Sequence, residues 1–306
     1  MSNHSVDVTI LTDARYTGTD PKDDYTANVY LEDGLVQKAL EAAGLTTNRI
    51  AWSDKAFDWG TTRFALFRST WDYFDRFDEF LPWVKRTKHR TLFINPHELI
   101  VWNLDKSYLE DLRQQDINTI PTVYCDKGDE KSMQSIAFKN KWKDIVIKPR
   151  VSGAAMDTHY ISSDQLAAQQ PLFLKLLHKQ DMMVQEAQNY ILRTGEVSIV
   201  MIGDQYSHAV LKVAKAGDFR VQDDFGGSVH HYQPTTEEID FAKSVVNACS
   251  TPPLYARVDM IRDNNGQLSL VELELIEPEL WFRKKPEAAT ALALKIASHI
   301  KEKALS

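Results

Sequence analysis

The chain has 306 residues, which is enough to bury a large core and indicates two or three structural units. Its net charge of −7 argues against nucleic acid or a membrane surface as a partner. No face rich in Lys and Arg is visible that would oppose this conclusion. No signal-like segment opens the chain and no apolar run reaches membrane length, so we expect a cytoplasmic protein. Cys125 and Cys249 lack metal-ligand spacing, and in a reducing cytosol both are expected to be free thiols.

The first hundred residues are predicted to form a small parallel α/β unit. The run VDVTIL near the N-terminus is typical of a strand, and residues 28–43 have the apolar spacing of a helix. Residues 65–67 and 91–95 follow as short strands on either side of an amphipathic helix over 78–88. Strands that alternate with helices in this order favour a parallel sheet.

Residues 101–190 are predicted to form a second unit, with helices over NLDKSYLEDLRQQ and 163–178 and strands at INTIPTVY, DIVIKP and MMVQEA. Residues 191–306 are predicted to form a third unit, with helices over 236–249 and 287–303 and strands at EVSIVMIG, YSHAVLKV, LYARVDMIRD and QLSLVELELI. Antiparallel strands with helices on one face make an α+β unit. The predicted fold class is therefore α/β and α+β, with unit borders near residues 100 and 190.

The segment YARVDMIRDNNGQLSLVELELIEP predicts a β-hairpin around Asn265-Gly266. An Asn-Gly pair between two strand patterns is typical of a two-residue type I′ turn. The strand pairs that follow from this turn are Asp259 with Glu272 and Arg257 with Glu274. Side chains alternate between faces, so these four share one face together with Leu270, whereas a three-residue loop would separate them.

Three carboxylates on one face of a strand pair repel one another, which destabilises the sheet. Hard divalent cations with oxygen ligands remove this repulsion, and Mg²⁺ commonly takes one or two carboxylates together with phosphate oxygens. The face therefore fits a metal site at Asp259, Glu272 and Glu274. The alternative is a solvated acidic face in which Arg257 pairs with Glu274.

Lys148 ends the strand pattern IVIKP, just before the small-residue segment RVSGAAMDT. A strand that delivers a lysine to such a loop can meet a phosphate with an ammonium and with backbone N–H groups. This signal is weak by itself, because the segment is no P-loop and lysines at strand ends are commonly solvated.

The order of these pieces resembles the ATP-grasp superfamily, in particular its glutathione synthetase and RimK-like branch. The matching pieces are a DK pair, a strand with KP, a small-residue loop, a GE pair and a D…E-x-E hairpin, which span about residues 100–306. The runs RSTWDYF, SHAVLKVAKAGDFRVQ and VELELIEPELWF are similar to a narrower set. That set is the cyclo-ligase of cycloserine biosynthesis, which closes O-ureido-D-serine, and its relatives.

The resemblance implies ATP as the nucleotide and Mg²⁺, with Mn²⁺ as the alternative, as the metal. The residues implied for ATP are Lys106 and Lys148 at the phosphates, Ser152 and Gly153 in the phosphate loop, Gln185, Glu186 and Ala187 at adenine, and Glu196 at the ribose. The implied metal ligands are again Asp259, Glu272 and Glu274. The catalytic candidates are Lys212, Arg220 and Arg257, and Gly226 and Gly227 are implied near the acceptor. The alternative for Arg220 is a surface salt bridge of little energetic value.

The segment after the strand at 65–67 is a candidate substrate site, because α/β sheets bind ligands at the carboxyl ends of their strands. Its candidates are Arg68, Ser69, Trp71, Asp72 and Tyr73. An arginine can hold a carboxylate with two hydrogen bonds, and aromatic rings can wall a small pocket. The alternative is that Trp71 and Tyr73 pack at a domain interface. Residues whose roles stay open are Asp13, Arg15, His208, Glu277 and Glu279.

These observations predict an ATP-dependent ligase that activates the carboxylate of a small amino-acid-like molecule as an acyl phosphate. The resemblance implies ring closure by an internal nucleophile, with ligation of two molecules as the alternative. A small-molecule kinase and a non-catalytic ATP-binding regulator are the alternatives from other functional classes. Because relatives of this branch are often dimers or tetramers, the resemblance also implies a homo-oligomer.

Overall fold

Three β-sheets organise the protein in the computed structural model, which describes residues 4–18, 20–215 and 226–305. The elements of the first part, in chain order, are β1 (Val6–Thr12), α1 (Asp24–Ala42), β2 (Thr47–Ala51), β3 (Thr62–Ser69), α2 (Phe77–Thr87), β4 (Leu92–Ile94) and α3 (His97–Asn103). The four strands form a fully parallel sheet with the order β2-β1-β3-β4. This arrangement confirms the predicted parallel α/β unit.

Helix α1 begins and ends at residues that suit helix termini. The side chain of Asp23 accepts a hydrogen bond from the backbone N–H of Thr26 (2.7 Å), which caps the first turn. Gly44, with a φ of +85°, follows the last turn in the left-handed conformation that commonly ends a helix. The apolar face of the helix buries Val36 and Leu40 against the last helix of the chain.

The second sheet is antiparallel. Its elements and those around it are α4 (Tyr108–Arg113), β5 (Thr122–Cys125), α5 (Met133–Asn140), β6 (Ile145–Pro149), β7 (His159–Ile161), α6 (Leu166–Leu177) and β8 (Met182–Glu186). The strand order is β5-β8-β6-β7. The short strand β7 has no counterpart among the predicted strands.

The helix predicted over 103–115 is shorter than expected, because residues 104–107 form a turn after α3 and the chain is helical again only in α4 (Tyr108–Arg113). The side chain of Asn103 donates to the carbonyl of Leu273 (2.8 Å) and accepts from the N–H of Leu275 (2.9 Å), so the end of α3 is tied to a distant strand. Lys106 consequently lies in the turn between the two helices, where its side chain can leave the helix surface.

The third sheet is also antiparallel. Its elements and those around it are α7 (Ile191–Thr194), β9 (Glu196–Ile202), β10 (Gln205–Val213), β11 (Ser228–Tyr232), α8 (Thr236–Asn247), β12 (Tyr255–Arg262), β13 (Leu268–Glu274) and α9 (Pro286–Leu305). The strand order is β11-β10-β9-β12-β13, and β11 has no counterpart among the predicted strands. One apolar cluster joins this sheet to α8, and another joins it to α1 and α9.

The hairpin between β12 and β13 has a different turn from the one predicted. Gly266 has a φ of +78°, but Asn265 does not adopt a positive φ, so the turn is not type I′. The N–H of Asp263 donates to the carbonyl of Gln267 (2.8 Å), which makes a three-residue loop. The carboxylate of Asp263 accepts from the N–H of Asn265 (2.8 Å) and stabilises this turn.

A second irregularity compensates for the longer loop. Between Asp259 and Met260 the strand register shifts by one residue, because β13 carries the extra residue Val271. The pairs beyond the shift are the predicted ones, Asp259 with Glu272 and Arg257 with Glu274. Leu270, expected on the charged face, lies instead in a buried apolar cluster because the bulge turns it over.

A buried asparagine joins the first sheet to the third. Asn95, which follows β4, donates its side-chain N–H to the carbonyls of Tyr255 (3.0 Å) and Leu275 (2.8 Å). Its side-chain oxygen accepts from the N–H of Leu254 (2.6 Å). Together with Asn103, it fixes the hairpin against the N-terminal part of the chain. The unit borders near residues 100 and 190 stay predictions.

Within the described ranges, no helix is long and apolar enough to cross a membrane. Cys125 and Cys249 are free and buried, as expected. Burial raises the pKa of the Cys125 thiol to about 11, so it stays protonated at neutral pH.

Two glycines should respond in opposite ways to alanine, although an added Cβ would meet no atom within 4 Å at either position. Gly34 lies in the middle of α1, so Gly34→Ala should raise the free energy of unfolding by about 1 kcal/mol through helix propensity. Gly44 has a φ of +85°, and Gly44→Ala should lower the free energy of unfolding by about 1 kcal/mol because alanine is strained there. Urea denaturation measures both changes, and changes of the same sign would contradict the backbone conformations described.

Candidate active site

A cavity of about 640 Å³ lies where side chains from the second and third sheets and from the N-terminal part of the chain meet. Most of the predicted site residues line it: Trp71, Lys106, Lys148, Ser152, Gly153, Gln185, Glu186, Glu196, Lys212, Arg257, Asp259, Glu272 and Glu274. These positions are far apart in the sequence, so the tertiary fold brings them together. The cavity combines cations with carboxylates, which is the chemistry expected for phosphate transfer.

Four buried charged side chains form a network on β9, β10 and β12. The ammonium of Lys212 pairs with Glu196 and lies 2.9 Å from the carboxylate of Asp259. The guanidinium of Arg257 donates to Asp259 (2.9 Å) and to Glu274. Burial by itself would raise the pKa of Asp259, but Arg257 and Lys212 outweigh burial and hold that pKa below its usual range. Asp259 is therefore ionised in spite of its burial.

Strand register explains how this network forms. Lys212 lies directly opposite Glu196 in the β9–β10 pair, and Asp259 lies opposite Ser198 in the β9–β12 pair. Since side chains alternate along β9, the three charged groups share one face. A Cβ at Gly195, just before β9, would lie 2.5 Å from the carbonyl oxygen of Lys212, so only glycine allows this close approach.

The two predicted phosphate lysines have different surroundings. The ammonium of Lys106 donates to the carbonyl of Ser152 and lies 3.2 Å from Glu272. The ammonium of Lys148, on β6, makes no hydrogen bond or ion pair within the described part of the chain. The residue is nevertheless buried, with only 9% of its surface exposed. Burial lowers the pKa of Lys148, and the nearby charge of Glu272 opposes this. A buried cation that faces a cavity without a partner is a binding position for an anion.

Glu272 and Glu274 occupy alternate positions of β13, with side chains 28% and 26% exposed towards the cavity. Burial raises the pKa of Glu274 to about 8, against the opposing charge of Arg257, and Asp259 and Glu272 add to the rise. Mg²⁺ commonly takes one or two carboxylates together with phosphate oxygens, so this oxygen donor set fits the metal.

Asp259 is in a different position from the two glutamates. It already has two cationic partners, and among the described residues no group of three or more His, Cys, Asp or Glu side chains is placed to hold a metal ion. Glu272 and Glu274 are therefore the residues most open to Mg²⁺, and the full triad stays a prediction.

The predicted adenine hinge lies at the end of β8. Gln185 and Glu186 line the cavity, and the side chain of Gln185 donates to the hydroxyl of Thr122 (2.9 Å). Ala187 does not line the cavity: its N–H donates to the carbonyl of Asp144 (3.0 Å), and its carbonyl accepts from the side chain of Asn264 (3.0 Å). Both of its backbone groups already have protein partners, and the contact of Ala187 with adenine stays a prediction.

Of the five substrate candidates at the end of β3 and just after it, Trp71 alone lines the cavity. Arg68 donates to the carbonyl of Pro278 (3.1 Å), and Ser69 donates to Asp33 (2.6 Å). Asp72 accepts from the indole of Trp52 (2.6 Å) and pairs with Arg76, and Tyr73 is buried in an aromatic cluster. Each of these four side chains has a protein contact, so Tyr73 fits the interface alternative, and the substrate roles of Arg68, Ser69 and Asp72 stay predictions. Gly226 and Gly227 do not line the cavity, and Arg220 falls outside the described residues.

An aromatic wall at the N-terminal side of the cavity was only partly predicted. The rings of Tyr16 and Tyr25 lie 6.0 and 6.1 Å from that of Trp71, and all three line the cavity. Arg15 also lines it and is held by Asp13 (2.6 Å). The segment DARY follows the carboxyl end of β1, so position after a strand marks Tyr16, whereas no local pattern marks Tyr25.

Two residues whose roles the sequence leaves open have clear surroundings. Glu277 lines the cavity and is hydrogen-bonded to Tyr73, and burial raises its pKa to about 7. His208 contacts the carbonyl of Leu280 through Nε2 (2.8 Å), and burial lowers its pKa to about 4. His208 is thus a neutral, buried residue.

Comparison with known proteins also indicates an ATP-grasp ligase. The model for the N-terminal domain of D-cycloserine synthetase DcsG matches residues 8–95, and the model for the RimK-like ATP-grasp domain matches residues 108–299. Cycloserine biosynthesis protein DcsG from Streptomyces lavendulae is 27% identical over 279 residues, which are 86% of this chain and 92% of that protein.

Solved structures show the same fold. The crystal structure of D-cycloserine synthetase DcsG matches with a TM-score of 0.84 at 24% identity, covering 96% of this chain and 99% of the other. D-alanyl-alanine synthetase A from Vibrio cholerae matches with a TM-score of 0.67 at 14% identity, covering 98% of this chain and 99% of the other.

These matches confirm the predicted ATP-grasp fold and the prediction of a carbon–nitrogen ligase that uses ATP and Mg²⁺. Because the RimK-like model covers more than half of the chain, the protein belongs to the RimK-like ATP-grasp family.

Proposed function

We propose that this ligase activates the carboxylate of a small amino-acid-like molecule as an acyl phosphate and passes the acyl group to an amine-type nitrogen. The observation that carries the proposal is the buried ammonium of Lys148, which has no ion pair or hydrogen bond among the described residues and lies in a cavity with Lys106 and the carboxylates of β13. Two cations beside carboxylates can hold a polyphosphate and its metal, which is the arrangement that phosphoryl transfer needs.

The proposed reaction has two balanced steps. First, a carboxylate oxygen of the substrate attacks the γ-phosphorus of ATP, the bond to the bridging oxygen breaks, and ADP leaves. Second, the nitrogen attacks the acyl carbon, the bond to the phosphate oxygen breaks, phosphate leaves, and the nitrogen loses a proton. Splitting the reaction in this way is a general solution, because a free carboxylate is a poor electrophile.

The residues of this chain have separate proposed tasks. Lys106 and Lys148 bind the phosphates, Glu272 and Glu274 would hold Mg²⁺, and Arg257 stabilises negative charge that develops on the reacting oxygens. Bound Mg²⁺ supplies neutralisation of the phosphate charge. Arg257 is suited to its task because Asp259 and Glu274 hold the guanidinium in place, so little reorganisation is needed during the reaction.

For the acceptor we propose closure of a ring by a nitrogen of the same molecule. The support is the similarity to the cycloserine biosynthesis protein along 92% of its length, with the aromatic wall as the candidate acceptor side of the cavity. Ligation of two separate molecules stays the alternative. The cytoplasmic location and the homo-oligomer stay predictions.

Replacing Lys148 should separate nucleotide affinity from stability. Lys148→Met keeps the length of the side chain but removes its charge, so ATP affinity should fall by roughly 10-fold to 100-fold, as expected for a lost charge-assisted contact. The melting temperature of the free protein should rise, because the substitution removes a buried charge that has no ion pair among the described residues. Calorimetry and thermal denaturation measure the two changes.

The matched control is Lys143→Met, since Lys143 is an exposed lysine that precedes the same strand. Lys143→Met should change neither the ATP affinity nor the melting temperature. An unchanged ATP affinity in folded Lys148→Met would place the phosphates elsewhere.

Trapping should distinguish the ligase from a kinase. An acyl phosphate is a mixed anhydride that strong nucleophiles attack, whereas an alkyl phosphate is inert to them. With O-ureido-D-serine or a related amino acid, ATP and Mg²⁺, added hydroxylamine should divert product to a hydroxamate while ADP and phosphate appear. Colorimetry and phosphorus NMR detect these products. A stable phosphorylated product, or AMP with pyrophosphate, would refute the proposed reaction.

A further inference from the structure

The loop over residues 152–158 has an unusual backbone. Ala154, Ala155 and Asp157 have φ values of 48°, 52° and 50°, which are left-handed and strained for residues with a side chain. The one glycine of this segment, Gly153, does not have a positive φ. Backbone freedom is therefore not the reason for a glycine at this position.

The close approach of an aromatic ring explains Gly153. A Cβ at Gly153 would lie 2.5 Å from Cε1 and 2.9 Å from Cδ1 of Phe74. Real Cβ atoms do not come so near, so the ring of Phe74 occupies the space that any side chain at Gly153 would need. Phe74 belongs to the turn that follows β3, and it packs on Tyr73 with ring centroids 5.5 Å apart.

A second group holds the start of the loop. The ammonium of Lys106 donates to the carbonyl of Ser152, and the N–H of Met156 donates to the carbonyl of Gly153 (3.0 Å). Lys106 therefore fixes the loop at its start and Phe74 fixes it one residue later. Strained residues such as Ala154 and Ala155 persist only where the surroundings hold them, and these two contacts are immediately before them.

We propose that Phe74 is a positioning residue for nucleotide binding: its ring, pressed on Gly153, keeps the loop over 152–158 in the conformation that meets the ATP phosphates. Phe74 and Gly153 both line the cavity, and Lys148 faces it from the adjoining strand. The N-terminal part of the chain would then act on the nucleotide through a contact with the loop. This inference rests on the proposed phosphate role of the loop and of Lys148.

Binding of ATP and of adenosine to Phe74→Ala tests the proposal. Without the ring the loop should leave the competent conformation, and ATP affinity should fall by roughly tenfold if about a tenth of molecules remain competent. Adenosine has no phosphate for the loop to meet, so its affinity should stay unchanged. Calorimetry with Mg²⁺ suits ATP, and ligand-observed NMR suits adenosine. Equal losses for both ligands, or no loss for either, would overturn the proposal.

Further variants exclude a general packing effect. Phe77→Ala removes a ring from the same aromatic cluster without altering the cavity lining, so it should leave ATP affinity unchanged. Phe74→Leu should restore part of the affinity and also serves if Phe74→Ala does not fold. If Lys148→Met binds ATP normally, the proposed phosphate site fails and this inference fails with it, whereas failure at Phe74 alone leaves that site intact.

A double substitution tests the contact itself. Gly153→Ala should weaken ATP binding, because the new methyl group pushes the ring away. In the Phe74→Ala background the same change should have little further effect, since the space is then empty. Additive losses would show that the two residues act independently and would contradict the proposal.

Discussion

The pairing of Lys212 with Asp259 and Glu196 is the interaction on which the rest of the site depends. Carboxylates from three strands line the cavity, and burial would favour the neutral form of each without a cation nearby. Lys212 and Arg257 keep Asp259 ionised, and they do so only while β9, β10 and β12 stay in register. The charged network thus ties the chemistry of the cavity to the pairing of the third sheet.

Polar contacts from the N-terminal part of the chain hold β12 and β13 of that sheet. Asn95 and Asn103 hydrogen-bond to backbone groups of β12, of β13 and of the residue that follows β13, at sites where a strand ladder would otherwise end. Such buried amide contacts are directional, so they fix position as well as contributing stability. The first sheet therefore acts as a support for the hairpin that carries Glu272 and Glu274.

The sequence predicted what depends on local spacing and on the order of motifs. The facing pairs of the hairpin follow from strand alternation, and the presence of Lys106 and Lys148 at one cavity follows from the ATP-grasp resemblance. The bulge at Val271 and the turn at Asn265 did not follow, because they are set by packing against the rest of the molecule. Arg68 and Ser69 were expected to meet substrate, but their partners Pro278 and Asp33 are distant in sequence and no local pattern reveals them.

The three-residue loop and the bulge of this hairpin compensate for each other. The third loop residue and the extra residue at Val271 each turn one strand face over, and only together do they return the carboxylates to the cavity. Insertions and deletions in this hairpin must therefore occur in pairs, and a relative with a two-residue turn should also lack the bulge. A sequence alignment that places one gap here without the other would match Glu272 with a residue of the opposite face.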